Sequence, residues 1–259
     1  MKRFWEIRAR ADDPARGEMT LYGEISDASW FGDETTPAQV AEELKALGDI
    51  TALDVYINSP GGDVFAGLAI YNILRRLEGV QVTAHVDGLA ASAASVIVMA
   101  ADRIVMPRNA LLMIHRAWAY ANGNAAELQK MADTLERIDG QLAQIYADRG
   151  GQSREKMAAL MEAETWMDAA QAAELGLCDE IEENKAAASI TVSTEILARY
   201  QNWPLKAKGA CHGGGSQPVE DKATEEPAAP ATESRLAEQR RRFDATRRKI
   251  LHAMGGNEE

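Results

Sequence analysis

The clearest structural pattern in the chain lies in residues 53–77, LDVYINSPGGDVFAGLAIYNILRRL. Residues 53–58 show the alternation that is typical of a strand, and they are followed by the turn-forming residues 59–62, Ser-Pro-Gly-Gly. Apolar residues then recur at steps of three and four, as on one face of an amphipathic helix: Phe65, Leu68, Ala69, Ile73 and Leu77. The segment therefore predicts a strand, a tight turn and a helix.

The same alternation of strands and helices continues on both sides of this segment. Further strands are predicted at residues 20–25, 80–86, 103–106 and 111–115, and further helices at residues 36–47 and 90–101. Strands that alternate with helices form β-α-β crossovers, so the expected fold class is α/β.

The second half of the chain is predicted to be helical and then to lose regular structure. A long helix is predicted at residues 124–149, and short helices follow at residues 153–161 and 168–175. We divide the chain into a compact domain at 1–185, a short extension at 186–205, a disordered linker at 206–233 and a basic helical segment at 234–254.

Composition argues against several classes of protein. A chain of 259 residues can bury one sizeable core, and a formal net charge of −12 argues against wholesale binding to nucleic acid. The chain has two cysteines, Cys178 and Cys211, and they lack the spacing of metal ligands. So few cysteines fit a reducing compartment better than a scaffold held by disulfides. Residues 1–13 contain no apolar stretch, and the apolar run at 89–101 is shorter than the roughly 20 residues of a membrane span. We therefore expect a cytoplasmic protein that needs no metal or other cofactor.

Two side chains are candidates for nucleophilic chemistry. Ser92 lies among small residues where a predicted strand turns into a helix, and the first turn of a helix offers N–H groups and positive charge to an anion. His115 closes a predicted strand and is, with His85, one of two histidines in the compact part. A neutral imidazole with an ordinary pKa of ~6.5 is well suited to accept a serine proton. A small-residue packing helix for Ser92 and an ordinary polar strand end for His115 stay open as simpler interpretations.

Four segments together resemble the Clp peptidase family, and the resemblance spans about residues 20–182. Residues 56–62 with 66–67 and 70–71 resemble the oxyanion segment of the family, and residues 88 and 90–92 resemble its nucleophile segment. Residues 113–115 resemble its histidine segment, and residues 164–166, 172 and 174–179 its acid region.

The phage branch of that family, the head maturation (prohead) proteases, is the closer resemblance, through residues 22–25, 62–67 and 164–166. It implies the fold shared with crotonases, built from repeated β-β-α units. It also implies a protruding handle helix at residues 124–149 that packs homo-oligomeric rings face to face.

The resemblance also assigns roles in a catalytic triad. It implies that Ser92 attacks the peptide carbonyl, that His115 accepts and returns the proton, and that Glu164 holds the imidazole in a position where the family usually has aspartate. Asp168 and Glu162 stay open as alternatives for the acid.

Glycine and small residues supply the rest of the expected site. The resemblance implies that the backbone N–H groups of Gly62 and Ala93 form the oxyanion hole, and Gly61 and Gly88 are expected to contact the substrate. An ordinary strand-to-helix turn at Gly61 and Gly62 stays open as the alternative.

The resulting hypothesis is an ATP-independent serine endopeptidase that cleaves phage capsid or scaffold proteins, in the cytoplasm of the bacterial host or within the procapsid. One alternative is an acyl-CoA enzyme of the crotonase fold, which shares the oxyanion geometry but does not need Ser92 and His115. Others are a non-catalytic, ring-forming assembly subunit and a peptidase that uses Lys130 as the base. No membrane partner is expected.

Overall fold

The computed structural model describes residues 5–28, 34–183, 200 and 202, all within one compact unit, Met1–Ala210. Its elements, in chain order, are β1 (Trp5–Ala9), β2 (Arg16–Ile25), α1 (Pro37–Ala46), β3 (Ala52–Gly62), α2 (Val64–Arg75), β4 (Gln81–Ala91), α3 (Ala93–Val98), β5 (Arg103–Pro107), β6 (Leu111–Ile114), α4 (Ala125–Gly150), α5 (Arg154–Glu162), β7 (Thr165–Asp168), α6 (Ala169–Glu174) and β8 (Glu180–Glu182). The predicted α/β class is confirmed. The predicted linker at 206–233 and basic helical segment at 234–254 lie outside the described residues.

The described strands form one mixed sheet in the order β1-β2-β3-β4-β5-β8, while β6 pairs with the end of β4 and β7 pairs with β6. Neighbours from β2 to β5 are parallel, whereas β6 and β7 are antiparallel. Helices α1, α2 and α3 make the crossovers that parallel pairing requires. Because β3, β4 and β6 run parallel, their carboxyl ends meet at one edge of the sheet.

The central strands are buried almost throughout, as expected for parallel strands that are covered on both faces. Leu53, Val55 and Ile57 on β3 are each at most 1% exposed. Apolar residues of α2, α3 and the second half of α4 belong to the same core. This packing fixes the strand ends that carry the candidate site.

Two of the predicted boundaries that differ from the structure lie beside the candidate site, and strand pairing explains both. Residues 59–62 were expected to form a turn but continue β3, because Ser59 pairs with Ala90 and its hydroxyl donates to the carbonyl of Gly23 at 2.6 Å. The helix expected at 90–101 is shorter, because residues 89–91 pair with 111–113 as the end of β4. A sequence window detects small and apolar residues but not the partner strand.

The long helix α4 confirms the prediction for residues 124–149 within one residue at each end. Asn124 caps its first turn, with a side-chain oxygen that accepts from the N–H groups of Ala126 and Glu127, and Gly151 ends it in the left-handed conformation. Its buried side chains all lie in its second half: Leu142, Ala143, Tyr146 and Ala147. Within the part of the chain that is described, no helix combines the length and the apolarity that a membrane span requires.

Gly61 and Gly48 form a matched pair for testing the packing at the end of β3. Both have positive φ, but a Cβ on Gly48 would meet no atom within 4 Å, whereas a Cβ on Gly61 would lie 2.6 Å from the carbonyl oxygen of Ala91. We expect Gly48→Ala to lower the free energy of unfolding by about 1 kcal/mol through backbone strain alone. Gly61→Ala should cost at least about 3 kcal/mol, because backbone overlap is added to the strain. Urea denaturation measures both values, and equal losses would contradict the described packing.

Candidate functional site

Ser92 lies in a strained turn between β4 and α3. Its φ of 55° is positive, which is uncommon for a residue other than glycine, and its ψ is −126°. Its N–H donates to the carbonyl of Met113 at 3.0 Å, so the turn is tied to β6. The carbonyl of Ser92 accepts from the buried hydroxyl of Ser95 at 2.6 Å, and that hydroxyl is 2.8 Å from the hydroxyl of Tyr146 on α4. The turn is therefore held from the sheet and from the long helix.

His115 directly follows β6, the strand that pairs with the end of β4. The pairing of Ala91 with Met113 brings the two strand ends together, and Nε2 of His115 lies 2.7 Å from Oγ of Ser92. These two sequence-predicted residues, 23 positions apart in the chain, are therefore in hydrogen-bonding contact. His85, the other histidine considered, lies within β4, where its ring stacks on Tyr56 at a centroid distance of 4.8 Å.

Burial and nearby carboxylates act in opposite directions on the imidazole of His115. Burial disfavours the charged form and dominates, so the pKa of His115 lies below its ordinary value of 6.5. The negative charges of Glu164 and Asp139 oppose this shift. The imidazole is therefore neutral at pH 7. The carboxylates of Glu164 and Asp139 are near enough to stabilise the imidazolium that forms when the ring accepts a proton.

The antiparallel pairing of β6 and β7 separates the predicted acids. Ile114 pairs with Thr165, and continuing this register by one residue places Glu164 next to His115. Asp168 pairs with Leu111, about 13 Å further along the strand, and its carboxylate instead caps α6 by accepting from the N–H of Gln171 at 2.9 Å. Glu162 is the exposed last residue of α5. Among the three predicted acids, Glu164 is therefore the one that the register of β6 and β7 places beside His115.

The carboxylates of Glu164 and Asp139 both accept hydrogen bonds from other residues of the chain. The carboxylate of Glu164 accepts from the indole N–H of Trp166 at 3.3 Å and from the backbone N–H of Asn202 at 2.6 Å. Asp139, on α4, accepts from the side chain of Arg116 and from the N–H of Ala117, each at 2.7 Å. Asp139 thus fixes the segment that follows His115.

A cavity of about 760 Å³ opens beside Ser92 and His115. Gly61, Gly62 and Ala93 line it near the serine, and an apolar wall comes from α4: Met131, Leu135, Ile138 and Leu142. The cavity has room for an extended chain and apolar side chains next to the serine hydroxyl.

The glycines named from the sequence occupy two different places. A Cβ on Gly61 would lie 3.0 Å from the nitrogen of Ala93, so the absence of a side chain keeps the space at this nitrogen open. A Cβ on Gly62 would lie 2.0 Å from the carbonyl oxygen of Ile25. Gly88 does not line the cavity described above, because it faces Asn58, whose side-chain oxygen accepts from the N–H of Leu89 at 3.0 Å. Gly88 lets Asn58 approach β4.

Several of the described residues near the site were not predicted from the sequence, among them Asp139, Tyr146, Tyr200 and Asn202. Asp139 and Tyr146 lie on α4, which the sequence predicted only as a long helix. Tyr200 lies beyond the segments that carry the resemblance, and no local pattern distinguishes it.

The contacts predict how carboxylates set the pKa of His115. Replacing Glu164 with glutamine removes a charge that favours the imidazolium, so the pKa of His115 should fall further below 6.5. Asp168→Asn keeps a good helix cap and removes a charge that lies away from the ring, so the pKa should stay unchanged. Histidine NMR titration of the full-length chain measures both values. A larger shift in Asp168→Asn than in Glu164→Gln would contradict the described register.

Comparison with known proteins identifies the family. A profile of the Clp protease family matches residues 28–185. An ATP-dependent Clp protease proteolytic subunit of Bacteroides fragilis is 36% identical over 132 residues, which cover 50% of this chain and 63% of that protein. The corresponding subunit of Ligilactobacillus salivarius is 40% identical over 158 residues, covering 59% of this chain and 79% of that protein. The chain thus spans less than two thirds of the Bacteroides relative and more of the other. On the profile match and these identities, the chain belongs to the Clp protease family.

Proposed function

We propose that the protein is a serine endopeptidase that cleaves phage capsid or scaffold proteins during head maturation, through an acyl-enzyme formed on Ser92. Membership of the Clp protease family supports the protease activity. The single observation that carries the serine mechanism is the 2.7 Å contact between Oγ of Ser92 and Nε2 of His115. A serine hydroxyl is a weak nucleophile until an adjacent base accepts its proton, and this contact supplies the base.

In the proposed reaction, Oγ of Ser92 attacks the peptide carbonyl while Nε2 of His115 accepts the hydroxyl proton. The lowered pKa of His115 keeps the imidazole neutral, which a proton acceptor requires. The carboxylate of Glu164 stabilises the imidazolium that forms, and the proton then passes to the leaving amine. Water repeats the sequence on the acyl-enzyme and releases the second product.

The developing oxyanion is proposed to be bound by the N–H groups of Gly62 and Ala93. Ala93 is the first residue of α3, and first-turn N–H groups have no partner within a helix. The N–H of Ser92 is already used by Met113, which leaves the next residue along the chain as the donor. In other proteases, one such donor is worth roughly 3 kcal/mol of transition-state stabilisation.

The phage substrate rests on the resemblance of residues 22–25, 62–67 and 164–166 to head maturation proteases. We place the reaction in the host cytoplasm or within the procapsid. The relatives named above are ATP-dependent by name, whereas we propose that this chain cleaves its substrate without ATP. Hydrolysis that requires added ATP and an unfoldase would contradict that part of the proposal.

The two alternatives that are not peptidases do not account for the Ser92–His115 contact. An acyl-CoA enzyme of the crotonase fold needs the oxyanion donors but no serine-histidine pair, and a non-catalytic ring subunit needs neither. Both would be insensitive to the loss of a serine hydroxyl at residue 92.

Replacing Ser92 with alanine tests the serine mechanism. We expect hydrolysis of a quenched-fluorescent peptide library, and of the phage scaffold protein, to fall at least about 1000-fold, because the nucleophile is lost. The control is Ser153→Asn, which changes an exposed serine at the start of α5 to another good cap and should keep full activity. Unchanged hydrolysis by Ser92→Ala would rule out the assignment.

We also propose that α4 joins homo-oligomeric rings in the way the family resemblance implies. The first half of the helix has no buried side chain in the single chain, and its apolar Leu128 is 43% exposed. Leu128→Glu should break stacked rings into single rings or smaller species, because burying an unpaired carboxylate is costly. Ala126→Glu adds the same charge about 200° around the helix and should leave the assembly intact. Native mass spectrometry measures both, and equal assembly sizes would contradict the proposal.

A further inference from the structure

Tyr200 is packed against the candidate base although it lies beyond residue 185, where the family match ends. Its ring meets the imidazole of His115 edge-on, with a centroid distance of 5.4 Å and an angle of 84° between the planes. It meets Trp166 in the same manner at 5.6 Å. The side chain is only 6% exposed, and its hydroxyl donates to the carbonyl of Pro60.

Tyr200 covers a face of the sheet that the main core does not reach. It forms a separate apolar cluster with Leu89, Ala91 and Met113, which are alternate residues on the paired ends of β4 and β6. Their neighbours Ala90, Leu112 and Ile114 belong to the main core. The strands that carry Ser92 and His115 are therefore packed on one face by the core and on the other by Tyr200.

Asn202 makes a matching contact with the candidate acid. Its backbone N–H donates to Oε1 of Glu164 at 2.6 Å, and its side-chain amide donates to the carbonyl of Ala163 at 2.8 Å. Glu164 itself has a positive φ of 47°, a conformation that surrounding contacts must hold. Asn202 thus anchors the backbone before Glu164 and one oxygen of its carboxylate.

We propose that Tyr200 and Asn202 are positioning residues of the peptidase site, in which Tyr200 holds the imidazole of His115 and the N–H of Asn202 holds the carboxylate of Glu164. The inference rests on the proposed function of these side chains. Two residues from outside the matched family region then reach three parts of the site: the end of β3 at Pro60, the base and the acid.

The groups that face His115 explain why Tyr200 matters to its chemistry. Ser92 and Tyr200 are uncharged, Glu164 and Asp139 are negative, and Arg116 is paired with Asp139. An apolar ring edge against the imidazole excludes water from that side without adding a charge. Tyr200 therefore contributes to the burial that keeps the base neutral.

The first test measures the pKa of His115 by NMR in the full-length chain, which contains only four histidines. In Tyr200→Ala the imidazole gains access to water, so we expect its pKa to rise towards the ordinary value of 6.5. Tyr200→Phe keeps the ring and loses only the hydrogen bond to Pro60, so the pKa of His115 in this variant should stay as low as in the original chain. A pKa that does not move in Tyr200→Ala would overturn the proposal.

The second test follows the rate at which a serine-directed fluorophosphonate modifies the chain. Asn202→Pro removes the N–H donor to Glu164, whereas Asn202→Ala keeps it and loses only the side-chain amide. We expect the proline variant to react at least about 5-fold more slowly than the alanine variant, in line with the loss of a hydrogen bond to a charged group. Equal labelling rates for the two Asn202 variants would overturn the positioning role of Asn202. Faster labelling of Tyr200→Ala than of the original chain would overturn the positioning role of Tyr200.

The two tests separate this inference from the proposed function. The NMR measurement does not depend on catalysis, so a raised pKa in Tyr200→Ala supports the contact even if Ser92→Ala leaves hydrolysis unchanged. Conversely, an unmoved pKa in a chain whose hydrolysis depends on Ser92 overturns the positioning role and leaves the peptidase assignment intact.

Discussion

The site depends on the parallel pairing of the end of β4 with β6. This pairing places Ala91 beside Met113, and the N–H of Ser92 closes it by donating to the carbonyl of Met113. The hydroxyl and the imidazole consequently meet at one sheet edge. A shift of one residue in this register would turn alternate side chains to the other face and separate the two groups. The strain at Ser92 is sustained because β6 on one side and the Ser95–Tyr146 pair on the other hold the turn.

The environment of the imidazole suits both halves of a proton transfer. Before the reaction, burial favours the neutral form that can accept a proton. In the proposed reaction, the same low-dielectric surroundings would strengthen the attraction between an imidazolium and the carboxylates of Glu164 and Asp139. The position of Glu164 follows from the antiparallel pairing of β6 and β7, whereas Asp139 comes from α4. Two separate parts of the fold thus converge on one ring.

The sequence was informative where chemistry lies in short contiguous segments. Ser92, His115 and Glu164 each sit in a segment that could be compared with a family, and the structure places the first two in contact. Asp139, Tyr146 and Tyr200 could not be found in this way. The first two reach the site through the packing of α4, and Tyr200 reaches it through contacts with residues that are distant in the sequence. Local patterns also misplaced the end of β3 and the start of α3, since residues rich in glycine and alanine became strand through pairing with distant partners.

The most direct test of the central claim is to identify the residue that a fluorophosphonate modifies in the full-length chain. After reaction, the mass of the intact chain and of its proteolytic fragments should show one adduct, carried by Ser92, and His115→Ala should suppress it. A chain that stays unmodified under conditions in which it is folded and assembled, or whose adduct lies on a different serine, would contradict the account.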